Sequence, residues 1–167
     1  KVLKNHDLSV RAFYKRMFRM PTFNDLYYTD MGNAFLKPEY AEQFNVGLKY
    51  TRNFEKSPFM RMLDVSVDAY YNKITDKIIA YPKGQQFRWT MLNLGEVEIK
   101  GVDAVLNALF TLGKLEVTTK FQYTYQKAID ITDPADTYYR DQIPYIPWHS
   151  GSAILALFYK GWGLNYS

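Results

Sequence analysis

From Leu115 to Gln126 the chain alternates without a break. Leu115, Val117, Thr119, Phe121, Tyr123 and Tyr125 fall on one parity, and Glu116, Thr118, Lys120, Gln122, Thr124 and Gln126 on the other. A period of two is the side-chain period of a β-strand. The run outlasts both the usual ~5–6 residues of soluble strands and the ~9–11 that cross a bilayer at a tilt. The same pattern recurs in Leu63, Val65, Val67, Ala69 and Tyr71 against Asp64, Ser66, Asp68, Tyr70 and Asn72, and in Phe44, Val46, Leu48 and Tyr50 against polar neighbours. Further strands are expected over about Asp7 to Arg19, Met91 to Phe110 and His149 to Tyr159, with a shorter one at Trp162, Leu164 and Tyr166. Helical periodicity is absent, so the spacing predicts an all-β chain with almost no helix.

The connections order these strands. Pro21 and Pro38 lack an N–H and push Met20 and Lys37 toward extended geometry, so ladder pairing should stop beside each and leave a long aromatic loop between. A second long loop is expected around Tyr81-Pro82-Lys83-Gly84, and a third from Ile129 to about Pro147. Short turns are read at Arg52 to Pro58, Thr111-Leu112-Gly113-Lys114 and Lys160-Gly161. Long and short connections therefore alternate, the arrangement of an outer-membrane barrel with compact periplasmic turns and large extracellular loops. One irregularity stands out: Val97 and Ile99 share a parity that Val102, Ala104, Leu106, Ala108 and Phe110 do not. A bulge at Gly101 accounts for it. The fold expected is an antiparallel up-and-down meander forming part of a large transmembrane β-barrel.

Charge placement supports the membrane. No Lys, Arg, Asp or Glu interrupts the apolar rows through Phe44, Leu63 or Leu115, where one facing lipid would cost ~2–4 kcal/mol at mid-depth. The 15 tyrosines exceed what a soluble core of this size needs, and tyrosine suits an interface with one apolar and one wet side. Tyr50, Phe110, Tyr159 and Trp162 gather by the short turns and Tyr14, Tyr71 and Tyr125 by the long loops, as two interfacial girdles require. The competing reading is a soluble all-β binding or adhesion module, in which the rows Leu63 to Tyr71 and Leu115 to Tyr125 would pack on a second sheet. The net charge of +4 is scattered and forms no run suited to nucleic acid. Two histidines, no cysteine and no phosphate loop or nucleophile elbow argue against an enzyme or a bound cofactor.

Several motifs carry a resemblance to a family. Phe18-Arg19-Met20-Pro21-Thr22-Phe23-Asn24-Asp25-Leu26-Tyr27, then Leu36-Lys37-Pro38-Glu39 and a strand, resembles the C-terminal half of the TonB-dependent outer-membrane receptors. Tyr70-Tyr71-Asn72-Lys73-Ile74-x-Asp76, Asn93-x-Gly95-x-Val97-x-Ile99-Lys100-Gly101-Val102-Asp103, Tyr123-Thr124-Tyr125 and Ile143-Pro144-Tyr145-Ile146-Pro147-x-His149 extend it over nearly the whole chain. The resemblance implies a bacterial outer-membrane receptor that takes up scarce nutrients, such as an iron siderophore, cobalamin or a similar chelate, by TonB-coupled active transport. It further implies that residues 1–167 are barrel wall and loops, six full strands and part of a seventh, with the plug domain and its TonB-contacting segment outside them. Haem receptors of the family carry a Phe-Arg-Ala-Pro and Asn-Pro-Asn-Leu pair with a histidine between. Here Met20 replaces the Ala, Asn33-Ala34-Phe35-Leu36 replaces the second motif, and no histidine lies from Pro21 to Leu36, which disfavours haem and leaves siderophore and cobalamin unseparated.

The partners expected are outer-membrane lipid, the TonB complex through a plug, and a small metal-chelate or vitamin ligand. Seven strands cannot close a barrel, so an isolated piece is expected to associate through its free edges. The ligand-contact candidates are the loop residues Tyr27, Tyr28, Tyr81, Trp89, Tyr138, Tyr139 and Arg140, rigid amphipathic rings and a cation sharing one rim. The bland alternative for each is loop packing and interface anchoring. Asp130, Asp133, Asp136 and Asp141 lack the spacing of a calcium loop and read as a solvated acidic loop, so no metal site is expected. By parity Arg19 and Glu39 both face the lumen, and an ion pair between them is expected to fix the base of the first loop next to Pro21 and Pro38.

Overall fold

The computed structural model describes residues 6–83 and 88–167. Seven strands form one antiparallel sheet in chain order: β1 (His6–Arg19), β2 (Glu39–Asn53), β3 (Met60–Lys83), β4 (Arg88–Leu112), β5 (Leu115–Asp130), β6 (His149–Tyr159) and β7 (Trp162–Tyr166). Each strand pairs with the next, as the meander requires. Pairing stops at Arg19, just before Pro21, and resumes at Glu39, directly after Pro38. The last turn has both Lys160 (φ 46°) and Gly161 (φ 86°) in the left-handed region, which matches the twist of a tight hairpin. The described strands make a single sheet, so the rows Leu63 to Tyr71 and Leu115 to Tyr125 have no second sheet against them.

Register assigns every side chain to a face. One face carries the rows Val10–Leu48–Val67–Ala104–Tyr123 and Leu8–Tyr50–Val65–Leu106–Phe121–Ala153. β6, whose parities the sequence leaves open, adds Leu155 and Leu157 here and turns Ile154, Ala156 and Phe158 the other way. These apolar groups stand open: Leu8 is 63% exposed, Val10 69% and Leu164 63%. A surface of this extent requires an apolar solvent. From Leu115 to Tyr125 the band spans roughly 11 residues, which at ~3.3 Å each and a ~45° tilt gives about 25 Å, the height of an outer-membrane apolar belt.

The opposite face is polar over the same rows. Arg11 donates to Asp68 through Nε at 2.9 Å and Nη2 at 2.6 Å. Asp64 accepts from Thr51 (2.8 Å) and Asn107 (3.2 Å) and pairs with Lys49 (3.1 Å), and Thr124 donates to Asp103 (2.6 Å). Aromatic rings line the long-loop end of the apolar band, with Tyr14 on Phe44 at 4.6 Å, Phe44 near Tyr71 at 6.2 Å and Tyr125 near His149 at 5.2 Å. Tyr50 at the other end bonds His6 Nδ1 at 2.6 Å.

Three expectations are corrected. No bulge occurs at Gly101: Tyr70, Gly101 and Gln126 pair in unbroken register, and the irregularity of the β3–β4 ladder lies at Met60/Met62. Gly101 instead admits the Tyr70 ring, since a Cβ there would lie 2.3 Å from Tyr70 Cζ. Tyr81 and Pro82 belong to β3, and β4 opens at Arg88, so the second long loop is a β-hairpin arm; Gly84, where its turn was expected, lies outside the described residues. β2 starts at Glu39 instead of near Phe44. The first loop holds one short helix, α1 (Phe23–Tyr27), which leaves the described chain almost free of helix, as expected.

Candidate functional site

Beyond the Tyr14–Phe44–Tyr71 row the polarity of the two faces inverts. Ile74, Val97, Ile99 and Ala128 occupy the face that is polar below, and Ile143 from the β5–β6 connection completes a buried cluster. Val97 and Ala128 are 0% exposed. This inversion, and no break in the ladder, produces the parity shift along β4. The other face there is charged, with ion pairs Arg16–Glu42 (3.1 Å), Lys73–Glu96 (2.8 Å) and Lys100–Glu98 (2.8 Å).

Backbone bonds hold the β5–β6 connection against the edge of β5. The Ile143 N–H donates to the Ala128 carbonyl at 2.8 Å, and the Ala128 N–H donates to Gln142 Oε1 at 3.0 Å. The Thr132 hydroxyl accepts from the Glu96 N–H at 2.9 Å, and the Thr132 methyl lies where a Cβ on Gly95 would stand. The aspartates of this connection serve its turns: Asp130 accepts from the Thr132 N–H (2.8 Å), Asp133 from Ala135 (2.9 Å) and Asp136 from Tyr138 (2.9 Å).

The β1–β2 connection is held differently. Thr22 caps α1, its hydroxyl accepting from the Asp25 N–H while Asp25 accepts from the Thr22 N–H, a reciprocal capping box. Asn93 clasps the far end: its Oδ1 accepts from the Lys37 N–H (2.9 Å), and its Nδ2 donates to the carbonyls of Lys37 (3.1 Å) and Asp76 (2.7 Å). The expected Arg19–Glu39 pair does not form, although register sets the two opposite each other. Arg19 Nη2 reaches Asp25 at 3.1 Å. Glu39, buried, accepts from the Ile78 N–H at 3.0 Å, with Lys77 at 4.0 Å. A buried N–H left unpaired costs ~1–3 kcal/mol, more than the ~0–1 kcal/mol of an exposed ion pair, so Glu39 takes the former.

These clasps leave an apolar cleft of about 340 Å³ between the β3–β4 arm and the β5–β6 connection, lined by Ile79, Tyr81, Trp89, Ile143, Tyr145 and Ile146 among others. Trp89 and Tyr145 rings lie 5.4 Å apart. Among the described residues, none of the side chains lining it is charged.

The family profile described as TonB dependent receptor-like, beta-barrel, matches residues 3–167. The chain belongs to the TonB-dependent receptor family. It is 34% identical over 124 residues to a vitamin B12 transporter BtuB of Photobacterium profundum, covering 70% of this chain and 18% of that protein. It is 34% identical over 99 residues to the vitamin B12 transporter BtuB of Vibrio vulnificus, covering 59% of this chain and 14% of that protein. The chain therefore spans less than a fifth of the length of these curated relatives. As a TonB-dependent receptor barrel segment it is a bacterial outer-membrane protein, and the soluble-module reading is set aside.

Of the loop residues singled out in this receptor segment, the structure brings Tyr81 and Trp89 to one cleft. Tyr27 stacks on Phe23 at 5.1 Å and is 60% exposed, Tyr28 is 59% exposed and Tyr138 70% exposed. Tyr139 is half-buried in its own turn, its N–H on the Asp136 carbonyl. Arg140 has φ 68° and donates its N–H to the Asp130 carbonyl at 2.7 Å. None of these five lines the cleft. Sequence reasoning missed Tyr145, Ile143 and Asn93. An apolar Ile143-Pro144-Tyr145-Ile146 run inside a supposedly solvated loop was the signal for the first two.

Proposed function

We propose that this chain forms one wall and part of the extracellular rim of a TonB-coupled active transporter that takes up a corrinoid, the class to which vitamin B12 belongs. The reading rests on the family match and on the two relatives named as vitamin B12 transporters. The observation that carries the ligand assignment at this site is the uncharged, aromatic lining of the Tyr81–Trp89–Tyr145 cleft. Such a wall suits the apolar edge and face of a macrocycle. In this reading the barrel encloses a plug, on which the TonB complex pulls, and the rim captures the ligand from dilute solution.

The test uses the full-length receptor in outer-membrane vesicles with cyanocobalamin as probe. Replacing both Trp89 and Tyr145 by Ala is expected to weaken binding about 30-fold, since truncating a central aromatic anchor costs ~2 kcal/mol or more. Unchanged cyanocobalamin affinity in that variant removes the cleft from the site. Tight binding of a ferric siderophore with no cyanocobalamin binding by the wild type replaces the corrinoid reading with iron uptake.

A further inference from the structure

On the lipid-facing side, just below the long-loop end of the apolar band, the sheet carries a dent of about 420 Å³. Its floor is the row Val46–Ala69–Val102, small side chains directly opposed across β2, β3 and β4. Its walls are Phe44, Tyr71 and Tyr125, with Lys100 at the rim. A polar ligand would find nothing to bond on such a floor. Its size falls within the ~300–1,000 Å³ typical of ligand clefts.

The rim holds an unusual pairing. Lys100 and Lys127 are directly opposite across β4 and β5, on the same face and one row beyond Val102–Tyr125. Like charges set opposite each other destabilise a sheet unless something neutralises them. Lys100 shares Glu98 at 2.8 Å and lies over the Tyr71 ring at 5.3 Å. Among the described residues no carboxylate reaches Lys127, whose ammonium sits 5.7 Å over the Trp148 ring. By contrast, Arg16 and Lys73 of the neighbouring strands each have a carboxylate partner on this face. The cation in excess therefore lies at the mouth of the apolar dent, at headgroup depth.

We propose that the dent and the Lys100–Lys127 pair are one lipid-binding site, which takes a lipid of the surrounding leaflet whose phosphate headgroup is net negative, with an acyl chain on the Val46–Ala69–Val102 floor and its phosphate between the two ammonium groups. Both lysines reach the phosphate by lifting their heads from the apolar surface along their own stems. The bound lipid neutralises the cross-strand repulsion, and its chain fills space between girdle rings that no protein side chain fills.

The test is native mass spectrometry of the full-length receptor in detergent, with dioleoylphosphatidic acid as probe and dioleoylphosphatidylcholine and inorganic phosphate as comparisons. The wild type is expected to retain phosphatidic acid about tenfold more than phosphatidylcholine. The double variant Lys100→Gln with Lys127→Gln is expected to lose that preference, and Val102→Phe, which fills the dent, to lose retention of both lipids. A heat-modifiable gel shift identifies variants that have kept the barrel, and Val102→Leu substitutes if Val102→Phe has not. Equal retention of the two lipids by wild type and double variant overturns the site. Displacement of phosphatidic acid by inorganic phosphate alone overturns the role of the chain. Because the readout is lipid retention, the result is independent of which nutrient the rim takes.

Discussion

The segment behaves as two proteins joined at a ring of aromatics. Below the Tyr14–Phe44–Tyr71 row, apolar side chains point to one face and stay exposed, while on the other Arg11 pairs with Asp68, Lys49 with Asp64, and Thr124 donates to Asp103. Above it, Ile74, Val97, Ile99 and Ala128 are buried on that second face, and Lys73, Glu96, Glu98 and Lys100 take the first. The strands run through without a break. What changes is the solvent. Hydrocarbon rewards apolar groups pointing outward, whereas water rewards burying them under a loop, and the backbone ladder is indifferent to either. The girdle marks the plane where one rule replaces the other.

The largest effect that tests this division comes from placing a charge on either face of one strand. Val67→Arg puts a guanidinium on the lipid side of β3, at an expected cost of ~2–4 kcal/mol near mid-depth. Ser66→Arg, the next residue, puts it on the polar face beside Lys49 and Val105. In the full-length receptor the first is expected to cut the yield of heat-modifiable barrel in the outer membrane severalfold, and the second to leave it near wild type. Equal loss in both would mean that the two faces share one environment.

Above the girdle the same logic predicts a local effect. Ile143→Ala empties part of the cluster around Val97, a deletion that costs ~2–5 kcal/mol in a rigid core and near the low end where a loop can settle inward. Hydrogen exchange at the Ile143 and Ala128 amides is expected to speed by more than tenfold, while the thermal unfolding of the barrel stays put. A matching drop in barrel stability would show that the extension and the band unfold as one unit.

How much of this was legible in the sequence follows the same boundary. In the band, one solvent acts on each face over many residues, so alternation yields strand count, order, the short turns and the faces of every strand but β6, which is apolar on both parities. In the extension, the apolar row changes parity at Gly101 with no change of register, and period-two reading interprets that as a bulge. A single-strand pattern cannot tell a slipped ladder from a changed environment. The clasps were less legible still. Asn93 bonds Lys37 across a gap of 56 residues, and Glu39 serves a backbone N–H at Ile78, which no side-chain inventory reveals. The helix at Phe23 was within reach, because Thr22 and Asp25 have capping-box spacing after Pro21.

The smallest expected effect concerns the first connection, where a carboxylate organises structure in water. Burial alone would raise the Asp25 pKa, but the Thr22 N–H, the Thr22 hydroxyl and the Arg19 guanidinium all favour its charged form and hold it below the ordinary value. A carboxylate whose folded pKa is lowered contributes stability that is complete above its unfolded pKa of ~3.9 and drains away as pH falls through the folded value. The Leu26 N–H, which donates to the Thr22 carbonyl at 3.1 Å, reports on that turn. Its exchange, corrected for the intrinsic rate, is expected to gain protection between pH 3 and pH 5 and then level off. Asp25→Asn flattens this profile, and Thr22→Ala lowers protection at every pH by the ~0.5–2 kcal/mol of a lost cap. The cluster at Val97, whose buried members are all aliphatic, keeps its protection across the same range. A pH response at Leu26 that persists in Asp25→Asn would assign the switch to another group, and one shared by the Val97 cluster would join the first loop to the extension core.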